Sequence, residues 1–233
     1  MQSLFKSGFI LALALVAGAA AAAPPVPAFT AHYRVLRNGS EIGTATVTLA
    51  NTRGDVWTYT TQSRGTSGLA SLLSASVDEV STFRWVGDLP QGETYDYTMD
   101  TALKRKHREV RFDWNAHTIE VKDKGTYTFA TRPGVLERHT VPLALAAGLA
   151  KGKTSFTLPV AVRNRIDMQH FTAQGQQSLE VPAGTFDATR VIRTDGGDPF
   201  EAWFAPAKLP VPVEINQRGK NSLSLELESW STR

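Results

Sequence analysis

The chain has 233 residues, no cysteine and a formal net charge of +3. Without thiols it forms neither disulfides nor thiolate metal sites, so its fold must depend on an apolar core. The basic excess is small and charges of both signs alternate along the sequence, so composition does not point to nucleic acid as a partner.

Residues 1–23 have the three parts of a secretory signal peptide. Lys6 supplies a positive charge, residues 8–16 are apolar, and residues 17–23 are small with several A-x-A cleavage frames. The apolar run is short for a membrane span of about 20 residues. The sequence therefore predicts export to the periplasm, cleavage after Ala22 or Ala23, and a mature chain that is not integral to the membrane.

Residues 24–233 are predicted to form a single β-rich domain because apolar residues recur there with a period of two. Phe29, Ala31 and Tyr33 share one face of the first predicted strand. Asn38-Gly39 follows as a two-residue hairpin turn in which both residues need a positive φ. Ten or more alternating runs of this kind continue to the end of the chain, which indicates an all-β protein.

Two short helices are predicted among the strands. Thr140–Ala150 has Pro142 near its start and Gly152 just after its end, and Thr66–Ser76 has leucines at helical spacing. Ten antiparallel strands do not lie flat in one open sheet. The expected fold is therefore all-β with minor α: a single strongly curved antiparallel sheet or a partly closed β-barrel with one or two short helices. A two-sheet sandwich is the alternative.

No catalytic or metal-binding motif stands out. Gly65-Thr66-Ser67-Gly68 resembles a nucleophile turn, but its second glycine comes one residue early. The histidines lack metal-ligand spacing and are expected to be scattered over the surface. We therefore expect no catalytic residue, no metal and no cofactor.

Aromatic residues and one basic run suggest where a ligand would bind. The run of residues 104–108 is Lys-Arg-Lys-His-Arg, and its even-numbered members share strand parity with Val110, Phe112 and Trp114. This face would change from basic to aromatic, which suits a ligand with an anionic head and an apolar body. The candidate ligand-binding residues are Trp57, Tyr59, Trp85, Lys106, Arg108, Phe112, Trp114 and Trp203.

Several segments, taken in order, resemble a family of exported β-rich proteins of Gram-negative bacteria known only as a domain of unknown function. The resemblance lies in residues 31–43, in Val110–Trp114, in the Glu137-Arg138 pair, and in three later motifs. These are Val181-Pro182-Ala183-Gly184-Thr185-Phe186, Glu201-Ala202-Trp203-Phe204 and Leu209-Pro210-Val211-Pro212-Val213. The resemblance implies a periplasmic location and one β domain, and it supplies no activity.

The Pro-Ala-Gly-Thr-Phe turn and the Trp-Phe strand also resemble those of the lipoprotein-carrier proteins, which bind acyl chains in a half-barrel capped by helices. This similarity concerns the fold. Three functions stay open. The first is a non-catalytic periplasmic protein that binds a lipid-like or amphipathic ligand on the curved sheet. The second is a structural or protein-interaction factor of the cell envelope with a filled core, whose partner surface includes Trp203 and Trp230. The third is a hydrolase.

Overall fold

A computed structural model describes residues 23–68, 74–217 and 222–232. Within these ranges fifteen strands form one sheet, and they are bounded as follows. The strands are β1 Phe29–Arg37, β2 Ser40–Arg53, β3 Val56–Gly65, β4 Ser76–Val86, β5 Leu89–Thr101, β6 Lys104–Asp113, β7 Thr118–Asp123, β8 Gly125–Ala130, β9 Leu136–Glu137, β10 Ser155–Ala161, β11 Ile166–Val181, β12 Gly184–Arg193, β13 Glu201–Phe204, β14 Pro212–Gln217 and β15 Leu223–Thr232.

A 3₁₀ turn at Arg138–Thr140 leads into one α-helix, α1, at Val141–Ala150. The helix therefore lies where the sequence predicts it. Five of the eleven residues of the second predicted helix, 69–73, lie outside the described residues, as does nearly all of the predicted signal peptide. The predicted end of that helix is wrong, because Ser76 begins strand β4. Nowhere in the described ranges is a helix both long and apolar enough to span a membrane.

The sheet is a single curved sheet, which confirms the predicted fold class. Its order is β8-β7-β6-β5-β4-β3-β2-β1-β15-β14-β13-β12-β11-β10-β9, and every pair is antiparallel except β9 with β10. Strands β1 to β8 form one antiparallel meander and β10 to β15 form another, to which β9 adds in parallel beside β10. The halves join where β1 pairs with β15, from Phe29 opposite Thr232 to Arg37 opposite Leu223. Asn38 and Gly39 both adopt a positive φ, as the hairpin turn requires.

Helix α1 fills the inside of the curved sheet. Seven of its ten residues are buried, and its apolar side chains point in all directions, as is typical of a helix in a core rather than on a surface. Gly148 lets the helix approach β10 closely, because an added Cβ would overlap the Phe156 ring. The concave side of the sheet is therefore packed with protein.

The two ends of the sheet overlap and are sealed by a second apolar cluster. Its members are Tyr95, Val110, Phe112, Ile119 and Val121 on β5 to β7, packed with Val135 and Ala161. Strand β9 lies against β5 inside this overlap. Side-chain packing rather than a hydrogen-bonded ladder therefore brings the two ends together.

Candidate functional site

A buried group of polar side chains connects β3 and β4 to the segment that precedes helix α1. The Ser81 hydroxyl donates to Glu137 Oε1 at 2.8 Å and lies 2.8 Å from His139 Nδ1. The Thr61 hydroxyl lies 2.9 Å from His139 Nε2. The expectation of surface histidines is wrong for His139, because it is buried against the Tyr59 ring at 4.5 Å between centroids.

The hydrogen bonds define the protonation state of His139. When Glu137 is ionised, the Ser81 proton is directed to its carboxylate, so His139 Nδ1 donates to the Ser81 oxygen and Nε2 accepts from Thr61. This arrangement needs a neutral imidazole. Burial lowers the pKa of His139 to about 4, which keeps the ring neutral at physiological pH.

Glu137 caps the 3₁₀ turn that follows it. Its carboxylate accepts hydrogen bonds from the backbone N–H groups of His139 at 2.6 Å and Thr140 at 3.0 Å. The side chain is fully enclosed, and desolvation raises its pKa to about 7 in spite of these bonds and the one from Ser81. Glu137 therefore titrates close to physiological pH.

A second set of charges borders this group. The Tyr95 hydroxyl donates to Glu79 Oε2 at 2.5 Å, and Arg138 Nε donates to the Tyr95 oxygen at 3.1 Å. Burial alone would raise the pKa of Glu79, but the positive charge of His139 in its protonated form, the Arg138 guanidinium and the Tyr95 hydrogen bond outweigh it, so the pKa is lowered. The ionised Glu79 thus pairs with Arg138 near the surface.

The Ser81, His139 and Glu137 side chains are the residue types of a hydrolase triad, but their arrangement differs. In a triad the histidine contacts both the serine and the carboxylate, whereas here the serine contacts both others and His139 bonds to Thr61. Ser81 has no exposed surface, and the adjoining cavity of about 10 Å³ admits no more than a water molecule. We therefore assign this group a structural role, which is to attach the start of α1 to the sheet.

Ser67, the residue of the near-match to a nucleophile motif, lies elsewhere. Its hydroxyl donates to the Glu41 carbonyl at 2.6 Å. Among the described residues no histidine hydrogen bonds to it. This geometry does not provide the base that an activated serine needs.

The predicted ligand-binding residues of β6 lie on one face of the strand. Lys106, Arg108 and Phe112 alternate with more exposed neighbours, and Phe112 stacks on Trp114 at 5.7 Å between centroids. The change from basic to aromatic is therefore present along β6. Its aromatic part is packed rather than open, since the Trp114 indole N–H donates to the Gly92 carbonyl at 2.9 Å.

The other predicted residues do not join them around a common cavity. Tyr59 is buried in the main core, and Trp57 and Trp85 are half-buried and pack against it, with Phe83 edge-on to Trp85 at 5.1 Å between centroids. Trp203 is buried in the other half of the sheet, with the Arg190 guanidinium 5.9 Å from its ring centroid. Whether these side chains bind a ligand stays a prediction; of the two cavities described in this section, the small one beside Glu137 is lined by Arg108 and the open cleft described next by none of the eight candidates.

An open cleft, which we call the end cleft, lies where the start of β1 meets the end of α1. It has a volume of about 230 Å³. Ten of its twelve lining residues are apolar: Pro25, Val26, Pro27, Ala146, Ala150, Phe204, Pro206, Ala207, Leu209 and Pro210. The other two are Lys208 and Thr232. The sequence did not predict this cleft, because its residues come from four distant segments, although Phe204, Leu209 and Pro210 belong to motifs of the family resemblance.

Three side chains on the outer face form a further cluster of possible metal ligands. Asp96, His107 and Glu109 place one ligand atom each within 4.8 Å of one another. Arg111 donates to both Asp96 oxygens at 3.0 and 3.1 Å, and Lys122 lies 3.6 Å from Glu109. Since these cations already neutralise the carboxylates, we do not assign a metal site here.

Comparison with known proteins identifies the family. A model of the family described as a protein of unknown function, DUF3108, matches residues 28–228. The chain belongs to this family. No curated protein matches the chain. Family membership confirms the resemblance to an uncharacterised β-rich family, and it assigns no catalytic activity.

One similar solved structure is a beta-barrel-like protein of a domain of unknown function, DUF1849, from Brucella abortus. It is 12% identical, with a TM-score of 0.55, over 91% of this chain and 100% of that one. At this identity the likeness concerns the fold alone. A β-barrel-like fold of unknown function is thus shared by two families of uncharacterised proteins.

Proposed function

We propose that this is a non-catalytic, exported protein that binds the apolar part of a lipid-like or amphipathic molecule in the end cleft. The observation that carries the proposal is the open and mainly apolar lining of that cleft, in which ten of twelve residues are apolar. We therefore place the ligand site in the end cleft, where α1 ends, and not on the concave face, which α1 fills.

The size of the end cleft favours part of a chain rather than a whole lipid. Its volume of about 230 Å³ lies just below the range of about 300–1,000 Å³ that is common for small-molecule sites. Each methylene group removed from water contributes about 0.8 kcal/mol. A short length of acyl chain, or an apolar side chain of a peptide, would therefore bind reversibly.

Lys208 gives the end cleft one charged residue. It is exposed, and its ammonium group lies 5.7 Å from the centroid of the Phe186 ring. An ammonium group beside an apolar cleft would attract an anionic head group. The resemblance to lipoprotein carriers, which bind acyl chains, supports the same class of ligand.

A filled interior also favours the second candidate, an interaction factor of the cell envelope. Helix α1 closes the concave side of the sheet, so such a protein would act through its surface. Trp230 is partly exposed beside Phe186 and can contribute to a partner surface, whereas Trp203 is buried. The ligand experiment below separates the two candidates.

Export is tested by cell fractionation of the full chain expressed with its natural N-terminus. We expect the protein in the osmotic-shock fraction, with a mature N-terminus at Ala23 or Pro24, because residues 1–23 have the parts of a cleavable signal. A Lys6→Glu variant should accumulate as a longer precursor. Full-length protein in the cytosolic fraction would contradict export.

Ligand binding is tested by fluorescence titration with a dansyl-labelled fatty acid. Replacing Ala207, an exposed residue of the cleft, by Trp should fill the cleft and weaken binding at least about tenfold. Ala130→Trp places the same side chain at an exposed position of β8 that does not line the cleft, and it should leave the affinity unchanged.

Two outcomes would contradict the proposal. One is the absence of saturable binding to the unmodified protein, which would favour the surface-acting candidate. The other is an equal affinity in the Ala207→Trp and Ala130→Trp variants, which would place the bound probe outside the end cleft.

A further inference from the structure

In the hairpin of β5 and β6, strand β6 extends beyond its neighbour β7. Strand β6 pairs with β7 from Glu109 to Asp113, and Arg108 contacts Asp123 at the end of β7, so residues 104–107 continue past the end of β7. The hairpin closes through Ala102 and Leu103, between Thr101 and Lys104. We call residues 99–106 of this hairpin the basic arm.

The tip of the basic arm presents an apolar side chain to solvent. Leu103 is 83% exposed, the highest value among the exposed large apolar residues described, of which the next is 52%. The Thr101 hydroxyl oxygen accepts from the Lys104 N–H at 3.0 Å, and the hydroxyl donates to the Lys104 carbonyl at 3.1 Å. These bonds hold the turn in shape, so the arm presents Leu103 in a defined position.

The basic arm carries three cations and one anion. The cations are Lys104, Arg105 and Lys106. The anion is Asp100, which pairs with Arg105 at 3.1 Å. Among the described residues Lys104 has no carboxylate within 4 Å, and Lys106 instead lies 5.7 Å from the Tyr97 ring centroid. Two net positive charges therefore flank an exposed leucine.

We propose that the basic arm docks the protein on an anionic phospholipid bilayer. Lys104 and Lys106 would lie among the lipid phosphates while Leu103 enters the interface between head groups and acyl chains. Cations beside an exposed apolar residue are the usual elements of such weak interfacial binding. The arm supplies few of them, so docking would be reversible.

The same charges disfavour other occupants of the arm. A second copy would bring two sets of like charges together, which costs energy where they face each other. A nucleic acid would engage the cations but would leave Leu103 without an apolar partner. The bilayer is the partner that satisfies both features.

Docking is tested by cosedimentation of the protein without its predicted signal peptide. The vesicles contain phosphatidylglycerol mixed with phosphatidylethanolamine, and phosphatidylcholine vesicles serve as the neutral surface. We expect binding to the anionic vesicles that falls with added salt, and little binding to the neutral ones. Lys104→Gln should lower the partition coefficient about fivefold, the effect of one cation near an anionic surface.

Matched variants separate the arm from general charge. Arg53→Gln removes the same charge from the opposite end of the sheet, where β2 turns into β3, and should change the partition coefficient less than twofold. Leu103→Gln keeps every charge and should lower it about tenfold through the lost burial of the leucine. Circular dichroism and thermal unfolding confirm that each variant is folded.

Three results would overturn the proposal: no partition to the anionic vesicles, equal losses in Lys104→Gln and Arg53→Gln, or full binding by Leu103→Gln. The arm and the end cleft lie at opposite ends of the strands, because β1 starts at one end and, by the antiparallel registers, the turn from β5 to β6 lies at the other. The arm variants should therefore keep their affinity for the dansyl fatty acid, so each proposal can fail without the other.

Discussion

Replacing Glu137 by Gln should change how the stability of the protein depends on pH. In the folded chain the pKa of Glu137 is raised to about 7, whereas an unfolded glutamate titrates near 4.3. Between these values the folded state holds a proton that the unfolded state releases. The contribution of Glu137 to the free energy of unfolding is therefore greatest at acidic pH and is lost as the pH rises to about 7.

His139 acts in the opposite direction over nearly the same range. Its pKa is lowered to about 4 when folded, against about 6.5 when unfolded. The unfolded state binds a proton between these values and the folded state does not, so stability from this group rises with pH. In the unmodified protein the two effects largely cancel.

The Glu137→Gln variant should reveal the His139 effect. Each pKa unit corresponds to about 1.4 kcal/mol, so the advantage of the unmodified protein over the variant should shrink by about 3 kcal/mol from pH 4.5 to pH 7. Urea unfolding at these two pH values measures this difference. The variant also loses stability at every pH, because an amide cannot accept all three hydrogen bonds.

Glu180→Gln is the matched control, since it removes a carboxylate from an exposed position on β11. Its stability relative to the unmodified protein should not follow the profile of Glu137→Gln. Parallel pH profiles for Glu137→Gln and the unmodified protein would mean that burial does not raise the pKa of Glu137, and the cluster would need a different protonation scheme.

Local patterns were sufficient to predict the class of fold. The alternation in β1 is directly visible, because one face packs on the core and the other faces water or a neighbour. The turn at Asn38-Gly39 and the helix before Gly152 follow from backbone preferences of single residues. Each of these signals involves residues close together in the chain.

Long-range features could not be predicted in the same way. The pairing of β1 with β15 joins residues about 200 positions apart, and no local pattern selects one register over another. The buried polar group combines Thr61, Ser81 and His139 from separate elements. The only sequence signal for it was the inward parity that Ser81 shares with Phe83, together with the Glu137-Arg138 step of the family resemblance.

In the candidate site, too, local patterns could be predicted and long-range contacts could not. Parity along β6 correctly placed Lys106, Arg108 and Phe112 on one face. It could not show that Trp114 packs against Phe112 and Gly92 and thereby closes that face. Whether a concave surface is open depends on what fills it, and here the filling element is α1, which is distant in sequence from β6.

Truncating Leu145 to alanine should be among the most destabilising substitutions in α1. Leu145 has no exposed surface, and the helix around it is buried on most sides. Removing a fully buried leucine side chain costs about 2–5 kcal/mol, which combines the lost transfer free energy with the cavity left behind. Because the sheet surrounds the helix, little collapse can fill the void, and we expect a loss in the upper half of that range.

Leu103→Ala provides the same chemical change at the tip of the basic arm. Since Leu103 is 83% exposed, its truncation should alter the free energy of unfolding by less than about 0.5 kcal/mol. Urea denaturation of both variants at one pH measures the difference directly. A Leu145→Ala loss as small as that of Leu103→Ala would show that α1 does not pack inside the sheet, and the concave face would again become the leading ligand site. A large loss in Leu145→Ala alone would instead leave the end cleft as the place where a ligand can enter without displacing the core.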